Sequence, residues 1–280
     1  MKTWEQIERD NEVAVSLQMM ELQCQQVGAG YQRAAYLFGP PGIGKNFVLD
    51  EALILFKMRG HERVDANPAN YREMLAAFEE AAGERPIVFD ECDVIWSSTR
   101  MMQIINIATD PKRGRSRRVY QDVDVSAPFF VLTNLDLRDS TKWSKNLQHY
   151  GPPVFRRIPP SGVSTEASRR DLWEHSVGLA LYHGLLDKAR IEVWGVSREQ
   201  PRALADRVQA LKWFSEQRDN LSSVSPATLI AVAEALDASG DACRLKLDAL
   251  LVPPRKRRAP LQDTTNWRSL LLGPQAVHAA

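Results

Sequence analysis

Short apolar runs alternate with longer stretches of helical spacing through the first half of the chain, and after about Pro160 the strand signals stop. Residues 1 to about 28, rich in Glu, Gln, Leu and Met, place apolar side chains at helical intervals, and Gly28 and Gly30 close that run. Ala34–Phe38, Ile87–Phe89 and Phe129–Thr133 predict strands, with a weaker one near Glu62–Asp65. A run beginning near Asn46, and the segments Tyr71–Ala82 and Met101–Ala108, predict helices. Alternation of this kind predicts an α/β fold, a parallel sheet covered by helices on both faces.

Beyond Pro160 the pattern predicts a small all-helical domain. Ser168-Arg-Arg-Asp171 has the form of a capping box opening a helix through Leu186. Pro201–Gln217 reads as a second helix, and Ser225-Pro226 as an N-cap followed by proline at the first position of a third, to about Leu236. Asp241–Leu251 reads as a fourth. The expected organisation is an N-terminal helix over 1–28, a core over 29–160, a helical domain over 161–252, and a basic, mobile tail over 253–280 that carries Arg255-Lys-Arg-Arg258.

Composition narrows the function classes. With 280 residues, 44% hydrophobic and 25% charged, the chain has the material for a sizeable core, and its net charge of +1 supplies no global attraction to nucleic acid. Any such binding must therefore rest on local patches. Cys24, Cys92 and Cys243 are widely spaced and match no metal or redox pattern. No stretch approaches the roughly 20 apolar residues of a membrane span, and the N-terminus lacks a signal-peptide apolar region, so no membrane partner and a cytoplasmic location are expected.

The chemistry concentrates in four places. Gly39-Pro40-Pro41-Gly42-Ile43-Gly44-Lys45-Asn46 fits the phosphate-cradling pattern G-x-x-x-x-G-K-[ST] except at its last position, and lies between a predicted strand and a predicted helix that continues through Phe47. There the glycines let backbone N–H groups face a polyphosphate, the helix N-terminus adds positive partial charge, and Lys45 adds a cation. Asp90 emerges at the end of the strand Ile87–Phe89, where a carboxylate can hold Mg²⁺ through water, and Glu91 follows as a candidate general base. Asn134 ends the next apolar run, where its amide could orient water near a γ phosphate; a strand-end turn residue is the plainer reading. Arg156 and Arg157 follow Val154-Phe155 and are candidates for a cation offered to a neighbouring subunit, or else a solvated face.

In order and spacing, GPPGIGKN, IVFDE, VLTN and FRR resemble the core of the AAA+ ATPase superfamily: Walker A, Walker B, sensor 1 and arginine finger. Within it the chain is most similar to small bacteriophage-encoded members. The resemblance covers about residues 30–160, and the segment to about 250 is similar in kind to the family's helical lid. It implies a P-loop NTPase core that binds ATP with Mg²⁺ between core and lid, with Asn46 and Asp90 toward the metal, in a ring-like homo-oligomer, often of six subunits. It also implies catalytic roles for Glu91, Asn134 and one of Arg156 and Arg157, with Arg157 preferred because it directly precedes an apolar residue. Two positions depart from the family pattern. Asn46 replaces the Ser or Thr whose hydroxyl holds Mg²⁺, and Ala227 stands where the sensor 2 arginine is expected, with Arg202 as a substitute.

Lys112, Arg113, Arg115, Arg117 and Arg118 put five cations into seven residues, which either track a phosphate backbone or form a solvated turn or a subunit-contact loop. Tyr120 could add stacking there, whereas Trp96 is expected in the core. Tyr71 follows a loop where family pore loops occur, and it either grips a polypeptide or packs locally. The leading expectation is an ATP hydrolase that remodels DNA or a DNA–protein complex, with a role in phage replication or recombination. The alternatives are a protein remodeller and, because of Asn46, a nucleotide-binding assembly protein with weak or no hydrolysis.

Overall fold

A computed structural model of the chain describes residues 2–111, 118–164, 166–193, 196–238 and 240–272. The chain divides into two compact units, one of residues 16–166 and one combining 1–15 with 167–280. The division falls inside helix α2 (Glu12–Gly28), which follows α1 (Trp4–Asp10).

The first unit is the predicted α/β layer. Its strands are β1 (Ala34–Phe38), β2 (Val64–Ala66), β3 (Ile87–Asp90), β6 (Phe129–Thr133) and β7 (Pro160–Gly162). They form one parallel sheet in the order β2-β3-β6-β1-β7. A small antiparallel hairpin, β4 (Val119–Tyr120) and β5 (Val123–Asp124), lies outside that sheet. The helices are α3 (Lys45–Lys57), α4 (Tyr71–Ala81), α5 (Thr99–Ala108) and α6 (Lys145–Arg157).

Strand side chains alternate with period two. Tyr36, Phe38, Ile87, Phe89, Phe129 and Val131 share one cluster with apolar residues of α4, α5 and α6. On the opposite face Phe130 meets Phe56 of α3 edge-on, with centroids 6.3 Å apart. Phe78, Phe89 and Phe129 form a triangle of rings with centroids 5.9–6.0 Å apart, and each buried ring contributes roughly 1.5–3 kcal/mol of apolar transfer. Trp96 is buried as expected, against Tyr36 and Phe155. Helix α6 is not foreseen by periodicity because Pro152 and Pro153 lie within it and remove two N–H donors.

In the second unit the predicted helices are present as α7 (Arg169–Tyr182), α8 (Leu204–Gln217), α9 (Pro226–Asp237) and α10 (Gly240–Ala249). They close around Val177, Leu211, Phe214, Leu229 and Val232. Three features differ from the expectation. Helix α7 stops at Tyr182 rather than running to Leu186, because Gly184 takes a positive φ of 66°. The unit is not purely helical, since β8 (Lys188–Val193) and β9 (Val196–Pro201) pair as an antiparallel hairpin. The stretch expected as a mobile tail carries α11 (Trp267–Leu272), with Trp267 buried in the helical core and its indole N–H donated to Asp263 at 2.7 Å. Part of the basic run is held as well: Arg257 pairs with Asp248 at 3.0 Å, and the Arg258 backbone N–H donates to Asn220.

Gly162 lets β7 lie against β1, because a Cβ there would stand 1.8 Å from the Phe38 carbonyl oxygen. Gly162→Ala is therefore expected to cost about 3 kcal/mol, read as a lower urea midpoint, and an unchanged midpoint would refute this packing.

Candidate functional site

Three neighbouring strands, β3, β6 and β1, end on the same edge of the sheet and each releases chemistry there. This is the edge where ligands of open parallel sheets bind. From β1 the chain enters the glycine loop, with positive φ at Gly39 (152°), Gly42 (75°) and Gly44 (106°). Gly44 is the N-cap of α3, and no side chain caps the helix. Its first-turn N–H groups thus face outward without a side-chain acceptor, an arrangement suited to an oxyanion. Pro40 is half-buried, Pro41 exposed, and Ile43 fixes the loop from below as a buried residue.

The Lys45 ammonium donates to the Gly39 carbonyl at 2.7 Å, the Pro40 carbonyl at 3.4 Å and Asn134 Oδ1 at 2.9 Å. Burial lowers its pKa, and Asp90, Glu91 and Asp93 push the other way. The predicted partners from β1, β3 and β6 are therefore brought together electrostatically. Asp90 and Glu91 are both exposed at the end of β3. Glu91 has a positive φ of 51°, a conformation that is costly for a non-glycine residue.

Asp93 and Thr133 belong to the site although their side chains carry no motif role in the sequence. The Thr133 hydroxyl, wholly buried, donates to Asp93 and accepts the Leu135 N–H at 3.0 Å. It thereby ties the turn holding Glu91 to the strand end holding Asn134. Cys92 is buried between the two acids, donates to the Pro68 carbonyl, and has its thiol pushed up to about 11 by burial. It is a fastener rather than a nucleophile. The only sequence signal for Asp93 is its place two residues after Glu91.

Asn46 is exposed, and Phe47 is 72% exposed beside it. The donor set fits a nucleotide polyphosphate. For a divalent cation the protein offers the Asp90 carboxylate and the Asn46 amide oxygen; among the described residues no three His, Cys, Asp or Glu converge as a metal site. An Mg²⁺ ion here would rely on phosphate oxygens and water for the rest of its shell, as this ion commonly does.

The arginines sort differently from the expectation. Arg157 turns inward, donating to the Asn106 carbonyl at 2.8 Å and lying 3.9 Å from Asp110. Arg156, one residue earlier in the last turn of α6, is exposed. Arg202, the substitute named for sensor 2, is buried within its own unit, bonded to the Leu186 and Lys188 carbonyls at 3.2 Å and paired with Asp237 at 2.9 Å. Of the basic stretch, Lys112, Arg113, Arg115 and Arg117 lie outside the described residues. Arg118 is buried, with its guanidinium on the Asp110 carbonyl at 2.9 Å, which withdraws it from any ligand surface.

No family model matches the sequence, and no curated protein matches it. Among solved structures the chain is similar to the Thermotoga maritima RuvB Holliday junction branch migration motor. That match has 14% identity and a TM-score of 0.43, over 89% of this chain and 72% of that one. A mutant of the same protein matches with 14% identity and a TM-score of 0.40, over 89% and 70%. Among the described residues no helix is long and apolar enough to cross a membrane.

Thr133→Val removes a buried donor and acceptor together and should cost about 1–3 kcal/mol, with Thr133→Ser close to wild type. Urea unfolding of both variants checks this, and equal midpoints for all three proteins would show that the Asp93 tie carries no stability.

Proposed function

We propose that this chain is an AAA+ ATPase that binds ATP with Mg²⁺, hydrolyses it, and couples the cycle to remodelling of DNA or a DNA–protein complex. The observation that supports it most is the convergence of Lys45, Asn134, Asp90 and Glu91 at the carboxyl ends of adjacent parallel strands, with the Lys45–Asn134 hydrogen bond at 2.9 Å. Bound ATP·Mg²⁺ would supply the phosphoanhydride and the divalent charge that stabilises its cleavage. Backbone N–H groups of Gly42 to Phe47 would hold phosphate oxygens, and Lys45 would exchange its bonds to Gly39 and Asn134 for them. Asp90 would position the metal's water shell. Glu91 would take the proton from an attacking water, and Asn134 would fix that water's orientation.

The finger role, in this reading, belongs to Arg156 in a ring of identical subunits, with six as the expected number. Arg156 is exposed at the end of α6, whereas Arg157 is engaged within its own chain. The DNA assignment draws on the basic run of residues 112–117, and a role in phage replication or recombination, in the cytoplasm, belongs to the same proposal. The second reading, nucleotide binding with little turnover, is motivated by Asn46, a neutral amide in place of a hydroxyl at the metal position.

Phosphate release measured with and without single- and double-stranded DNA tests the proposal. Glu91→Gln should lower turnover by about 10²–10⁴-fold while ATP binding persists, and Asn46→Thr should raise it. Equal inactivity of wild type and Glu91→Gln, with ATP still bound, would leave only the binding reading. Arg156→Ala should abolish the concentration-dependent part of the rate without altering the unfolding midpoint. Arg157→Ala should lower the midpoint, and the reverse pattern would reassign the finger.

A further inference from the structure

Away from the glycine loop, two helix N-termini bring arginines onto one tyrosine. Tyr71 is the first residue of α4 and is half-buried, packed at the edge of the core. Arg72 follows it, with Nε donating to the Tyr71 hydroxyl at 3.3 Å and its guanidinium carbon 5.9 Å from the ring centroid. Arg100, in the first turn of α5, lies over the same ring at 4.6 Å. Both arginines are exposed, and among the described residues neither has a carboxylate partner. The carboxylate nearest in sequence, Glu73, is turned back onto the Ala69 N–H at 2.8 Å and the Asn70 amide at 2.6 Å.

Physical chemistry makes this an unusual use of two cations. A positive side chain in the first turn of a helix opposes the macrodipole, and here this happens in two helices at one spot. Other arginines of the same unit have acids, such as Arg63 with Asp50 and Asp65, and Arg138 with Asp136. The Tyr71 phenol is held below its ordinary pKa by the Arg72 hydrogen bond and by the charge of Arg100, as expected where positive potential accumulates. A guanidinium lying on an aromatic ring keeps its N–H edge free, and that edge matches the paired oxygens of a phosphate.

We infer that Arg72, Tyr71 and Arg100 form a clamp for the phosphodiester backbone of a nucleic acid, with Tyr71 as the platform that sets the two guanidiniums. A polypeptide strand fits this site poorly, because the ring that would grip an apolar side chain is already covered by Arg100 and hydrogen-bonded to Arg72. The inference deepens the DNA-acting reading by naming where the backbone is held, and rests on that reading only for coupling to hydrolysis.

The test is fluorescence anisotropy on the full chain without nucleotide. A labelled thymidine oligomer of about 20 nucleotides, longer than the roughly 4–16 that one binding fold covers, is compared with a duplex of the same length, and labelled poly-glutamate is the non-nucleic polyanion. Near about 50 mM salt, Arg72→Gln and Arg100→Gln should each weaken oligomer binding roughly three- to tenfold. Each should also flatten the log K against log salt slope by about 0.7 for every phosphate no longer neutralised. Tyr71→Ala should weaken binding by a similar factor, and Tyr71→Phe by less. Weaker binding of the duplex as well would extend the clamp to double strands, and weakening confined to the oligomer would assign it to single strands. The inference is overturned if wild type binds neither DNA, if the double arginine variant keeps affinity and slope, or if poly-glutamate binds as tightly and is weakened to the same extent. Unfolding midpoints confirm that the variants are folded. Binding of a fluorescent ATP analogue, measured separately, distinguishes failure of the clamp from failure of the ATPase reading.

Discussion

The Lys45 ammonium is the point on which the candidate site depends. It joins three segments distant in sequence through hydrogen bonds to Gly39, Pro40 and Asn134 and through the charges of the acids at and just beyond the end of β3. Taking an ammonium partly out of water disfavours its charge, and burial does lower the Lys45 pKa. Asp90, Glu91 and Asp93 oppose that shift, so the cation is kept by acids that come from a different strand. Two of these acids, Asp90 and Glu91, are the ones proposed for metal and water chemistry. Electrostatic upkeep of the lysine and placement of the carboxylates proposed for catalysis are thus one requirement, met by one geometry.

That geometry is inherited from the sheet. β6 lies between β3 and β1, and the registers Asp90↔Leu132 and Phe38↔Thr133 bring the three strand ends to nearly the same level. Both faces of these strands are buried, so a slip of one residue would exchange large and small side chains between two packed layers, and the aromatic packing of Tyr36, Phe89 and Phe129 fixes the level of the strand ends. The positive φ of Glu91 persists because β3 holds the residues before it in the sheet, and the two residues after it are fastened, Cys92 to Pro68 and Asp93 to Thr133. Rigid packing below and a constrained turn above are what allow a side chain to wait in a costly conformation.

Much of this was legible in the sequence, for identifiable reasons. β1, β3 and β6 are buried on both faces and therefore appear as unbroken apolar runs. The glycines at 39, 42 and 44 are required by positive φ, so the loop advertises itself. What was hidden depended on tertiary partners. The β8–β9 hairpin has an alternating sequence, Lys-Ala-Arg-Ile-Glu-Val, but its charge density obscured the period of two. Helix α6 forms in spite of two prolines because Leu147, Val154 and Phe155 pack into the core. The Thr133–Asp93 tie, across forty residues, leaves no local trace.

Arginine shows most plainly why residue type alone does not assign a role. Three of the arginines singled out by motif or charge density, Arg118, Arg157 and Arg202, have their guanidiniums directed at backbone carbonyls inside the fold. There the five-donor fork reaches acceptors near the end of α5 or beside the β8–β9 hairpin, and for Arg202 and Arg157 an acid, Asp237 or Asp110, stands beside the charge. Arg72, Arg100 and Arg156 carry the same side chain but remain exposed. Two of those three stand at helix N-termini, where their charge is locally unfavourable. An arginine that closes a carbonyl set is explained by folding. One held in an unfavourable field, with no carboxylate partner among the described residues, is not, and for Arg72 and Arg100 the polyanion proposed above would supply the opposite sign.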